Sequence, residues 1–157
     1  MKLVRILLSA LAAAGLLLGA CRSSAPTATA PPEDALGFET LLQGYQSGIH
    51  ATGVLLLTSE AEWRGFWKQH AGWMLPAPEA PKVDFGTRSV LAVLAGDRPS
   101  GGWGIDLAWI APRGQVLVAH ARQRRPAPDA IVPMSVTQPY HLVTIPRASG
   151  LVELEIE

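Results

Sequence analysis

One cysteine, Cys21, is all that 157 residues contain, so no intrachain disulfide can form and an apolar core has to hold the fold. Charge of one sign is equally scarce: 13 basic residues stand against 13 acidic ones. Nucleic-acid binding calls for a basic surface, and this balance argues against it. A bilayer-spanning run is missing too, because the leading apolar stretch, Ile6 to Leu18, has 13 residues where about 20 are needed. The four histidines, at 50, 70, 120 and 141, lack the close spacing of a zinc site. Neither a G-x-S-x-G elbow nor a phosphate-binding glycine fingerprint occurs, and no cofactor is expected.

The leader is the clearest feature present. Lys2 and Arg5 precede the apolar run, and Leu18-Gly19-Ala20-Cys21 closes it. Those four residues resemble the lipobox of bacterial lipoproteins, which implies that residues 1–20 form a signal peptide and that Cys21 becomes the lipidated N-terminus. Two or more acyl chains anchor stably, at about 0.8 kcal/mol per buried methylene. Loss of Lys2 and Arg5 leaves the mature chain at a net charge of −2. Arg22 follows the cysteine where lipoproteins retained in the inner membrane carry Asp, so an outer-membrane or surface location facing periplasm or exterior is favoured. Residues 21–36, rich in Ser, Thr, Ala and Pro without apolar periodicity, read as a flexible tether, and residues 37–157 as the folded domain.

Within the domain one helix is expected over about 59–71. Ser59-Glu60-Ala61-Glu62 fits a capping box, Trp63, Phe66, Trp67 and His70 share a face, and Gly72, Pro76 and Pro78 end the run. The remainder reads as strand. Gly48–Leu57 alternates loosely, and Val90–Ala95 is unbroken and apolar, as in a strand covered on both faces. Trp103 to Trp109 alternates, Arg113-Gly114 turns the chain into Gln115–Arg122, and Tyr140–Ile145 and Val152–Ile156 follow. The expected class is α+β and β-rich: an antiparallel β-sandwich or open barrel with one amphipathic helix.

Chemistry-bearing groupings are sparse. Arg98-Pro99-Ser100-Gly101-Gly102-Trp103 links two strands, either as a hairpin loop or as a nest of amides for an anion or a partner. Ser100 with a histidine and Asp97 or Asp106 is the only hydrolase set worth naming, and such triples arise by chance in almost any chain. Glu60 and Glu62 are explained by helix capping. Trp63, Trp67 and Trp109 are expected in the core, whereas Trp73 and Trp103 flank loops, where an aromatic can recognise a partner or stack on a sugar. The basic run Arg122-Gln123-Arg124-Arg125 opens a proline-interrupted segment to Thr137.

Several pieces taken in order resemble the PrcB C-terminal domain family. They are Ser47-Gly48-Ile49, then Trp63, Trp67 and His70, then Pro81 to Phe85, Gly96 to Gly102, and Thr137-Gln138-Pro139-Tyr140-His141 through Pro146. Where members usually carry Tyr after the paired glycines, this chain has Trp103. The family is named for a lipoprotein subunit that binds and stabilises a secreted serine protease. The resemblance therefore implies a non-enzymatic interaction module at the cell envelope, whose partner is an envelope protein and plausibly a protease. Ser100, Gly101, Gly102, Trp103, Gln138, Pro139 and Tyr140 match its most distinctive motifs and are the candidate partner-binding residues. A carbohydrate- or small-ligand-binding lipoprotein is the alternative.

Overall fold

The computed structural model describes residues 29–157. Seven strands and one helix follow in the order β1 (Glu39–Gly44), β2 (Thr52–Leu57), α1 (Glu60–Ala71), β3 (Arg88–Ala95), β4 (Gly104–Arg113), β5 (Val116–Arg124), β6 (Tyr140–Pro146) and β7 (Leu151–Ile156). Sheet A has the order β1-β6-β3-β2, and sheet B the order β4-β5-β7. The molecule is thus an α+β sandwich in three layers: helix, sheet A, sheet B.

Strand periodicity explains the layering. On β3, Val90, Ala92 and Leu94 point to one face and meet Trp63, Phe66 and Trp67 of the helix. Leu91, Val93 and Ala95 point to the other and meet Ile105, Leu107, Ile110, Ala119 and Ala121 of sheet B. An unbroken apolar run is what a strand covered on both faces requires. The helix begins where the capping box places it, with Ser59 Oγ accepting from Glu62 N and the Glu62 carboxylate accepting from Ser59 N. Trp63 Nε1 and Trp67 Nε1 donate to the carbonyls of Pro81 (2.9 Å) and Pro78 (2.8 Å), which wraps the proline-rich segment back over α1.

Three features depart from expectation. First, sheet B is mixed and not purely antiparallel, because β7 pairs with β5 in parallel, Val116 opposite Leu151 through Ala121 opposite Ile156. Between those strands the chain returns through β6 of the other sheet, so it re-enters sheet B in the direction that β5 runs. Second, β1 is an additional strand. Its pairing to β6 slips between Thr40 and Leu42, a bulge that breaks the alternation in Leu41-Leu42 by which a strand is recognised. Third, the β4–β5 register slips between Leu107 and Trp109. Trp109 therefore leaves the inner face to Ile110 and stacks on His120 across the outer face, ring centroids 4.7 Å apart.

The bulge in β4 also frees an amide. Leu107 N donates to His141 Nδ1 at 2.9 Å, so the ring proton is on Nε2, which donates to Thr40 Oγ1 at 2.9 Å. One buried imidazole on β6 thereby pins sheet A to the edge of sheet B. Burial keeps the His141 pKa below its ordinary value, against the opposing pull of Asp106. The same edge is closed by Leu36 N donating to Ile110 O (2.7 Å) and Gln43 Nε2 donating to Ile105 O (3.0 Å).

Candidate functional site

Pairing registers bring one set of loops to one end of the sandwich. Gly44 lies opposite Tyr140, Tyr140 opposite Leu94, Ala95 opposite Thr52, and Gly104 opposite Arg124. The segments 45–51, 96–103 and 125–139 therefore emerge together, and the carbonyl of His70, accepting from Gly48 N at 2.8 Å, brings the end of α1 beside them.

Loop 96–103 is not a hairpin, since β3 and β4 belong to different sheets. It crosses from one layer to the other and is laced to the 125–139 segment. Arg98 N donates to Thr137 O (2.8 Å) and Thr137 N to Arg98 O (2.9 Å). Thr137 Oγ1 donates to Ser100 O (2.9 Å), and Gly101 N to Pro133 O (2.8 Å). The Gly101 amide is thus taken by protein, which removes it from any anion nest. Gly102 has φ +80°, and a Cβ there would approach Pro126 and Val132 to 2.9 Å. Glycine is required at this point by both backbone and space.

Around this lacing lies a cavity of about 540 Å³, whose lining includes Tyr45, Gln46, Trp103, Arg124, Ser135 and Thr137. That volume falls in the range of ligand sites. A shallower hollow of about 230 Å³ adjoins it across Gln46, bounded by His50, Trp73 and Gln138. The Trp103 ring is engaged already, with the Arg98 and Arg125 guanidinium carbons 5.7 and 5.6 Å from its centroid. Between the two hollows, Asp97 Oδ1 accepts from Gln138 Nε2 and pairs with His50 Nδ1, each at 2.8 Å. These contacts, Gln138 foremost, hold the Asp97 carboxyl below its usual pKa.

Of the seven residues singled out from sequence, five meet here. Gly101 and Trp103 line the larger cavity with Gly102, Ser100 caps the turn, and Gln138 borders the smaller hollow. Pro139 and Tyr140 do not reach the surface. Pro139 is fully buried, and Tyr140 packs edge-on against His70 at 4.4 Å, with burial raising its phenol pKa. They hold the floor beneath the site. Cys21, the lipidation candidate, lies outside the described residues.

Ser100 Oγ donates to Gly101 O (3.1 Å), and the serine–imidazole hydrogen bond that the structure does hold joins Ser47 Oγ to His70 Nδ1 (2.9 Å). Those two residues are 5% and 2% exposed, enclosed where loop 45–51 clamps onto the helix. Desolvation lowers the His70 pKa to about 4. Among the described residues, no group of three or more His, Cys, Asp or Glu side chains is placed to hold a metal ion.

Sequence reasoning passed over Tyr45, Gln46, Ile131 and Met134. Tyr45 is 65% exposed, while Ile131 and Met134, at 104% and 88%, project from the 125–139 segment. The available signal was apolar residues lacking any helical or strand period, which no core element would use.

Fold and site together define a β-rich, two-sheet α+β domain with loops 45–51, 96–103 and 125–139 gathered at one end. The family described as PrcB C-terminal matches residues 89–146, from β3 to β6, and over that stretch the chain is similar to it. No curated protein and no solved structure matches the chain.

Proposed function

We propose that this protein is a lipid-anchored envelope module that acts by docking onto another protein and performs no chemistry itself. The observation that carries this reading is the cavity of about 540 Å³ between Tyr45 and Trp103, built where loops of both sheets interlock, an opening that an anchor side chain of a docked protein can fill. The family description is in keeping with a protease as the docked protein. A partner held only in its folded form is stabilised by mass action, by about 2.7 kcal/mol when the module is present at a hundred times its Kd. The alternative, stacking of a sugar on Trp73 and Trp103, loses one of its two platforms because two guanidinium groups lie over the Trp103 ring, which leaves Trp73 alone beside the smaller hollow.

Crosslinking in intact cells, followed by mass spectrometry, tests the reading with wild type, Trp103→Ala and Tyr45→Asp. Both substitutions are at the site rim and spare the Gly102 backbone. A common set of partners, recovered from wild type and reduced at least about tenfold in both variants, is expected for an anchor residue at an interface. Equal yields from all three would move the interface elsewhere.

A further inference from the structure

The first described residue shows where the tether leaves the body. Thr29 Oγ1 donates to Glu157 Oε2 (3.3 Å), and the Glu157 backbone lies beside β5, its carbonyl accepting from Gln123 N (2.9 Å) and its amide donating to Ala121 O (3.0 Å). Arg124, the next residue but one after Arg122, lines the main cavity. The chain therefore leaves the domain toward its loop end. Seven residues, 22–28, separate Thr29 from Cys21, a reach of at most about 28 Å. Directing the opposite end to the membrane would need about 17 Å of that merely to run back along β5 from Ala121 to Val116, before the Arg113-Gly114 turn is cleared. The loop end has no such cost.

That end is also dressed for an interface. Ile131, Met134 and Leu75 are almost wholly exposed, and Val136, Trp73 and Tyr45 are more than half exposed. Arg124 and Arg125 lie at the root of the 125–136 loop, and Asp129 is its only carboxylate. Apolar tips, aromatic rings and arginines behind them match the depth profile of a bilayer surface, where hydrocarbon, headgroups and water succeed one another. We infer that the loop end rests on the lipid surface, with Ile131 and Met134 entering the headgroup boundary. The inference rests on the lipid anchor proposed above. It makes the docking cavity a juxtamembrane site, accessible to a partner that is itself at the membrane.

A depth measurement on the lipidated protein provides the test. With Cys21 consumed by lipid, Ile131→Cys or Gln115→Cys supplies one free thiol for an environment-sensitive fluorophore, in vesicles of phosphatidylethanolamine and phosphatidylglycerol at 3:1. The label at 131 should be quenched by doxyl-labelled lipid and be at least about threefold less sensitive to aqueous iodide than the label at 115, as expected for a side chain within the interface. Equal iodide quenching at both positions on protein that floats with the vesicles would overturn the inference and leave the anchor standing. A label at 131 that is open on vesicles and shielded in cells would assign the loop to a protein interface, also against it. Protein that fails to float would remove the anchor and this orientation together.

Discussion

At the residue scale two buried histidines, His70 and His141, do structural work that depends on being neutral. His70 accepts or donates within a buried pair with Ser47, and His141 joins the sheets through the Leu107 amide. For His70 the folded pKa is about 4 against an ordinary 6.5, so the unfolded chain binds more protons between those values. Stability is complete above pH 6.5, falls as the pH drops through this window and has lost about 3 kcal/mol from this group below pH 4. The lowered pKa of His141 adds in the same direction. Denaturant midpoints for wild type and His70→Leu between pH 7.5 and 4 should converge as the pH falls. Parallel curves would show that His70 is not the titrating group.

At the element scale, the contrast between α1 and the 96–103 loop is instructive. The helix was legible because its signals are local: a capping box within four residues and one aromatic face within eight. The loop's role was not, because the groups that Gly101 and Gly102 accommodate, Pro133, Pro126 and Val132, lie 24 to 32 positions away in sequence. A methyl group at 102 must adopt φ +80° and displace Pro126 or Val132, a strain of about 1–3 kcal/mol. Gly102→Ala should therefore lower stability by about that amount and speed protease cleavage within 125–136, read by limited proteolysis, whereas Gly114→Ala, with positive φ but nothing within 4 Å, should lower stability without that local opening. Bulges obeyed the same division. The register slip against the neighbouring strand β5 decided which way Trp109 points, and an alternating sequence pattern held no record of it.

At the scale of the whole molecule, β3 and β6 belong to both cores. Val90, Ala92, Leu94 and Leu142 serve the helix side, while Leu91, Val93, Val143 and Ile145 serve the inter-sheet side. Losing either strand empties both layers, so unfolding should be a single cooperative transition. With Trp73, Trp103 and Trp109 replaced by Phe, tryptophan fluorescence reports on Trp63 and Trp67 in the helix layer, and far-ultraviolet circular dichroism reports largely on the sheets. Their denaturation curves should superimpose. Separate midpoints would mean that the helix layer detaches on its own.

What the amino-acid order settled alone is whatever short-range chemistry can encode: the helix and its cap, the β-rich class, the doubly covered β3, the β4–β5 turn and the likeness of residues 89–146 to the PrcB C-terminal family. Tertiary structure decided what depends on residues far apart in the chain. It set β7 parallel to β5, sent Pro139 and Tyr140 into the core while leaving Gly101, Gly102 and Trp103 at a cavity, and brought Tyr45 to the rim of that cavity. The reason is physical: caps and periodicity are satisfied by neighbours a few residues away, whereas strand direction, bulge position and the burial of one motif residue beside an exposed one are fixed only when separate segments compete for the same hydrogen bonds and the same space.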